Sequence, residues 1–315
     1  MESLTALLEN LWSPFLQPSD SRVYYPFLLS TLILAIGFYL FTITTTKSFR
    51  HLIRYLFPKS IWWHTSAQVD YQLFVFNTII KVLLIVPYTL SHVQFMWIVV
   101  NWWREGVGWQ EQPLVLNPWV LSIGYTLIFL LLADFSRFIV HYALHKVPIL
   151  WQFHQIHHAA EVMTPITLYR IHPVEYFLIK LRNMLVFGVV AGTFYFWFQT
   201  SISVINIYQI HLGVFVFNLL GANLRHSHIP ISFGRIIEHF IISPAQHQIH
   251  HSKATKHYDK NFGSIFAFWD YFFGSLWLSN KEEKIVFGIV EHQQSKLKTL
   301  WQNLYQPFVN LFKKP

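Results

Sequence analysis

Apolar residues in this chain come in long runs rather than in the two-residue or three-to-four-residue alternation of half-buried strands and helices. Runs approaching the ~20 helical residues needed to cross a bilayer extend over Pro26 to Thr46, Gln72 to Leu90, Pro118 to Asp134, Met184 to Phe198 and Ile202 to Gly221. Five membrane-spanning helices are therefore predicted. The second is the least regular, because Lys81 and Pro87 interrupt it. Only Gln199, Thr200 and Ser201 separate the last two, which predicts a tight helical hairpin. The polar connections differ in charge. Residues 47–71, 135–183 and 222–260 carry most of the Lys and Arg, whereas the first 25 residues, the 101–117 loop and the Gln199 hairpin are poor in them. Basic residues accumulate on the cytoplasmic side of membrane proteins. The N-terminus is accordingly expected outside and the C-terminus in the cytoplasm.

Composition agrees with lipid as the solvent. Of 315 residues 53% are hydrophobic and 18% aromatic, and only 12% are charged, about half the charged fraction of a soluble domain. Trp12, Trp62, Trp63, Trp102, Trp103, Trp109 and Trp119 fall near the predicted span ends, as interfacial aromatics do. With no cysteine, disulfides, iron-sulfur clusters and thiolate-bound zinc or haem are excluded, so any metal must be held by nitrogen or oxygen. The net charge of +8 is spread too thinly for a nucleic-acid surface. Glu2, Glu9 and Asp20 precede any basic residue, unlike a signal peptide. No internal repeat of domain size is visible. One membrane-embedded, all-α domain is expected, with N-terminal spans (1–116), a histidine-rich core (117–280) and a cytoplasmic C-terminal tail (281–315).

The chemistry lies in the histidines. Fourteen of eighteen fall between His141 and His257, and all of these but His211 fall in segments expected in the cytoplasm. The pentapeptide His-Gln-Ile-His-His occurs twice, at His154 to His158 and His247 to His251. Its i, i+3 and i+4 imidazoles share one helical face, so each copy is expected to present three nitrogens to a single point. His141 and His145 repeat the i, i+4 spacing just upstream. Eight clustered imidazoles exceed what one ion can use and suggest two metal ions in one pocket. Iron, zinc, copper and nickel all accept imidazole. Haem fits poorly, because the triplets lie outside the spans. The ligand count favours two irons with open positions for dioxygen. The isolated His51, His64, His92, His211 and His292 are expected to be structural.

These residues resemble a known family. His141-x3-His145, His154-x2-His157-His158 and His247-x2-His250-His251 are similar to the three histidine boxes of the fatty acid hydroxylase/sterol desaturase superfamily of membrane di-iron oxygenases. Leu150-Trp151-Gln152-Phe153, Arg170-Ile171-His172-Pro173-Val174-Glu175, Arg225-His226-Ser227-His228-Ile229, Asp259-Lys260-Asn261-Phe262-Gly263 and Trp269 through Ser275 resemble the surrounding signatures. The resemblance covers roughly Trp119 to Leu278. It implies two non-haem iron ions, dioxygen as co-substrate and oxidation of a lipid C–H bond. It also implies electrons from a separate donor protein, a reductase or a cytochrome b5-like or ferredoxin-like carrier. Zinc could replace iron on purification. The eight box histidines would be ligands and His226 the ninth. His228 and His239 are candidates for a further ligand. His172, Asp134, Glu175, Glu238, Asp259 and Asp270 are candidates to orient ligands and balance charge.

The expected activity is hydroxylation of a fatty acyl, sterol or related lipid, on the cytoplasmic side of a bacterial inner membrane or the endoplasmic reticulum. Desaturation begins with the same hydrogen abstraction and is the nearest alternative. A metal transporter would need ligands at the membrane midplane, whereas these clusters flank the spans. An inactive lipid-binding relative is the remaining alternative.

Overall fold

The computed structural model describes residues 13, 15, 16, 21–43, 48–85, 90–200, 203–207, 210–280 and 284–312. The described residues are mostly helical, with one two-residue strand pair and irregular segments toward the C-terminal half. Among the described residues four helices are long and apolar enough to cross a membrane, which makes the chain an integral membrane protein: α1 (Tyr25–Thr42), α3 (Thr65–Ile80, continued by a π turn over Lys81–Ile85), α5 (Pro118–Lys146) and α7 (Pro173–Phe198). Between them lie α2 (Phe49–Leu56), α4 (His92–Val107) and α6 (Pro148–His158). Beyond α7 come strands β1 (Asn206–Ile207) and β2 (Ile210–His211), then α8 (Leu212–Leu219), α9 (Pro244–His250), α10 (Phe268–Phe272) and α11 (Leu300–Phe312).

The 29 residues of α5 make a rod of about 44 Å, longer than a hydrocarbon core of about 30 Å. Its last turns therefore project and carry His141 and His145. Pro148 then starts α6 at its first helical position, where the missing N–H costs nothing, so the chain turns at once and brings the first pentapeptide beside them.

The predicted fifth span, 202–221, does not form one helix. Gln199 caps α7 in the left-handed conformation, the chain pairs antiparallel over β1 and β2, and only eight residues of helix follow in α8. Polar backbone exposed this way must find partners in an apolar setting, and Thr126 of α5 supplies them. Its hydroxyl accepts from Ile205 N (2.9 Å) and its carbonyl accepts from His211 Nε2 (3.2 Å).

The 101–117 segment is likewise only partly a loop. Helix α4 covers 101–107 and runs parallel to α7, with Phe95 at Gly188 and Met96 and Val99 at Gly192. Trp103 stacks on Phe196 and donates to Thr193. Meanwhile the first half of α3 is pinned to the histidine-bearing end by buried Asp70 and by Asn77, which donates to Ile171 O. The expected second span, 72–90, corresponds to α3 and its π turn, which begin earlier, at Thr65, and α4 follows as a separate helix beside α7.

The start of the described chain also differs from expectation. Ser21 meets the Tyr169 hydroxyl at 2.9 Å, and Arg22 lines a cavity together with His226. Residues 21–22 therefore lie at the histidine end, not opposite it.

Candidate dinuclear metal centre

Nine histidines converge in two adjoining groups. His141, His145, His154, His158 and His250 form one, and His157, His226, His247 and His251 the other; in each, the nearest ring nitrogens all lie within 4.8 Å of one another. The pentapeptides do not each serve a single point. Successive helical residues are rotated by ~100°, so i and i+4 nearly eclipse while i+3 swings away from i+4. His154 and His158 accordingly join the first group and His157 the second; His247 and His251 join the second and His250 the first. The two motifs exchange their middle histidine. The groups abut through His158 and His251, whose rings stack with centroids 4.5 Å apart.

The rings are set as metal ligands require. His141 Nδ1 donates to Phe262 O (2.8 Å), His250 Nδ1 to Lys260 O (2.7 Å), and His154 Nδ1 faces Glu175 Oε1 (3.1 Å). An acceptor at Nδ1 fixes that nitrogen as the N–H and turns the Nε2 lone pair inward. Nε2 of His145, His154, His158 and His250 is buried without a hydrogen-bond partner among the described residues. In the second group Nε2 of His226 lies 3.3 Å from that of His157 and 3.1 Å from that of His247, which lies 3.2 Å from that of His251. Such approaches between like nitrogens cannot all be hydrogen bonds of neutral rings. They fit a cation at the point of convergence.

Burial keeps these rings neutral. It pushes His154 and His157 down to about 3, and lowers His158, His226, His247, His250 and His251 well below the usual range, with neighbouring cationic side chains adding to it. All-nitrogen neutral donors suit iron, zinc or copper.

The loop 259–263 explains the Asp-Lys-Asn-Phe-Gly sequence. Asp259 and Asn261 both sit at positive φ (61° and 57°), where Asn and Asp are the most tolerated residues after glycine. The alternating turn aims the carbonyls of Lys260 and Phe262 at His250 and His141. Asp270 fixes the loop by accepting from Phe262 N and Gly263 N, both at 2.7 Å, and from Ser275. A Cβ at Gly263 would lie 2.6 Å from Phe266 O, so no side chain fits there.

The remaining candidates divide by contact. Glu175 touches His154. Asp259 pairs with Lys146 (2.5 Å) and stands 3.7 Å from His145. Asp134 accepts from Ile265 N, Phe266 N and Trp269 Nε1, clamping the 264–269 segment onto α5. Glu238 accepts from Ser232, Ser243 and Ser279. His172 caps α7 through Val174 N and donates to Leu304 O. His228 donates to Tyr55 O, and the Nδ1 of partly exposed His239 faces Arg235 O at 2.6 Å; neither joins a group. Among the isolated histidines, His51 bonds Tyr39, His64 caps α3 and His211 caps α8.

A cavity of about 540 Å³ reaches the histidines from α3, α5 and α7; His141, His154, His157, His226 and His247 form part of its wall. Four arginines also line it: Arg22, Arg137, Arg182 and Arg225. Sequence reading took Arg137, Arg182 and Arg225 as cytoplasmic charge or markers of a span end, and left Arg22 within an N-terminal segment expected outside. Arg225 is buried, with Nη2 2.8 Å from His247 Nδ1. Its place beside His226 in a lipid-facing chain was the available signal.

Residues 126–275 match the fatty acid hydroxylase family. Among curated proteins the chain is similar to alkylglycerol monooxygenase of Homo sapiens (26% identical over 181 residues, 58% of this chain and 36% of the human protein). It is also similar to alkylglycerol monooxygenase of Caenorhabditis elegans (23% over 190 residues, 60% and 34%) and of Danio rerio (25% over 185 residues, 58% and 36%). The matched segment spans about a third of the length of those relatives. No solved structure is a significant match.

Proposed function

We propose that this chain, a member of the fatty acid hydroxylase/sterol desaturase superfamily, is a di-iron monooxygenase that hydroxylates a C–H bond of a membrane lipid. The observation that carries this reading is the convergence of nine neutral imidazoles into two adjoining groups at the inner end of a cavity. His141, His145, His154, His158 and His250 would hold one iron, and His157, His226, His247 and His251 the other. The ions would supply reduction and activation of dioxygen, with electrons from a separate donor protein. Alkylglycerol, the substrate named for the relatives, is the first lipid to test.

The protein's own residues prepare the site. Phe262 O and Lys260 O hold the Nδ1 protons of His141 and His250, which keeps their Nε2 lone pairs directed inward. Glu175 does the same for His154. Nearly complete burial of the second group excludes water from the reacting end.

Purified protein supplied with ferrous iron should hold two irons per chain, measured by elemental analysis. Lipid product should gain the mass of one oxygen atom. Loss of two hydrogens would instead make the chain a desaturase. If a strain expressing the His157→Ala, His250→Ala variant has the same lipid profile as one expressing the wild type, the oxygenase reading fails.

A further inference from the structure

The cavity wall carries far more positive charge than the proposed metal chemistry uses. Arg22, Lys81, Arg137, Arg182 and Arg225 line it, against a single carboxylate among the described residues, Glu175, which faces His154. Among the described residues none of the four guanidiniums has a carboxylate within salt-bridge distance. Asp134 acts on Arg137, Arg182 and Arg225, and Asp270 on Arg225, through their charge alone, because their oxygens are taken by other donors: Asp134 accepts three N–H groups and Asp270 two backbone N–H groups and a hydroxyl.

What the arginines do contact is neutral. Arg22 donates to Ala222 O, Arg137 to Ser264 Oγ, Arg182 to Ala133 O and Ser136 Oγ, and Arg225 to Ser264 O and Gly263 O. These bonds orient the forks without neutralising them. Arg225 Nε is buried with no partner among the described residues. The side chains also repel one another: burial and Arg137 lower Arg22 to about 10, which leaves it charged at neutral pH. Arg182 and Arg225 are buried and Arg22 partly so, while Arg137 is exposed on the same wall; cations held this close with no carboxylate in contact among the described residues are costly. Two metal cations on neutral imidazoles would raise that cost further.

We propose that the missing counter-charge is the substrate's own: the cavity takes a lipid by an oxyanionic headgroup, a phosphate or carboxylate, seated among Arg22, Arg137 and Arg225. This rests on the lipid-oxidising reading above and narrows its substrate class, setting the chain apart from relatives named for an uncharged glycerol ether. Because Arg225 touches His247, the headgroup enters first and the carbons near it, rather than the chain end, are presented to the histidines. Planar guanidinium forks match such oxyanions in geometry as well as charge.

The test uses the full-length, iron-loaded protein in detergent and measures binding of dihexanoyl phosphatidic acid, dihexanoylglycerol and inorganic phosphate by calorimetry. The phosphatidic acid should bind at least roughly tenfold more tightly than either of the others, the gain expected of charge-assisted hydrogen bonds. Arg22→Gln and Arg137→Gln should each weaken it by roughly tenfold, and Arg137→Lys, which keeps the charge, by less. Iron content and melting temperature measured alongside identify any variant that has failed to fold, and Arg137→Lys against wild type then carries the comparison. Equal affinity for the uncharged lipid, equal affinity for free phosphate, or folded glutamine variants that bind as wild type would each overturn the proposal. Tight anionic-lipid binding without any oxygenated product would leave this inference standing and sink the oxygenase reading. Turnover that ignores headgroup charge would do the reverse.

Discussion

A histidine in a membrane protein acquires meaning from the atom behind it. His141, His154 and His250 each have an acceptor at Nδ1, and of the three only His154 has a carboxylate. Glu175→Gln should therefore weaken iron retention by roughly 10- to 100-fold, the usual range for losing such a partner, measured by competition with a chelator. Acid should act on the same rings. Burial holds His154 and His157 near 3 in the folded, metal-free protein against about 6.5 when unfolded. The unfolded chain therefore binds more protons between those values, and stability falls as pH is lowered through that window. Melting of the metal-free protein should be nearly flat above pH ~6.5 on this account and decline steadily below it. Glu175, raised to about 7 by burial, binds its proton first in the folded state and offsets part of that decline; a profile that rises from pH ~7 to ~4 would mean the rings are not buried as described. The pentapeptides were plain in the sequence, as was the suitability of their clustered imidazoles for a metal. Their exchange of middle histidines was not, because it depends on how two helices face each other, and spacing within one helix carries no such information. Arg225 was overlooked for a related reason: charge patterning treats every arginine as surface until burial is known.

Among the elements, α5 and α7 were foreseeable as long apolar runs; α4 was not, since Trp103, Arg104 and Glu105 made its second half resemble a loop. It exists because α7 gives it a seat. A Cβ at Gly192 would lie 2.8 Å from Met96 O and 2.8 Å from Val99 Cβ, so the two helices touch backbone to backbone, as small residues permit in membranes. Gly192→Ala should destabilise the protein by about 1–3 kcal/mol through overpacking, read as a lower melting temperature with iron content per folded chain unchanged. The same mutation at Gly37, which has nothing within 4 Å of its added Cβ, should have little effect. The fifth predicted helix failed at His211, whose ring caps α8 and reaches Thr126 instead of continuing a span. Hydropathy sums over such a position and does not register the break.

At the scale of the whole molecule, one buried ion pair joins parts distant in sequence. Arg170 donates to Asp70 Oδ1 (3.0 Å), Ser66 O and Ile156 O, and also to Leu297 O and Asn303 Oδ1. Asp70 is completed by Thr167 (2.6 Å). Helix α11 is held against α6 by the same cluster and by Phe308 on Phe153. Asp70→Asn leaves the guanidinium buried and unpaired, which should cost about 3–5 kcal/mol and lower the midpoint of thermal unfolding far more than any surface change. Sequence showed Arg170 only as part of a signature. Its partners lie about 100 positions upstream and 127 to 133 downstream, beyond the reach of any local pattern.

That reach gives the protein a schedule during synthesis. The first pentapeptide leaves the ribosome 93 residues before the second, and Arg170 waits 133 residues for Asn303. At about 5–20 residues per second these delays are on the order of 5–20 s and 7–27 s. Early in that time α5 and α6 are complete with five of the nine imidazoles already made and the other four still untranslated. An ion captured then meets four members of one group and one of the other, so the first position can fill before the second exists. Loading of the centre would thus be sequential, set by the order in which the chain is made.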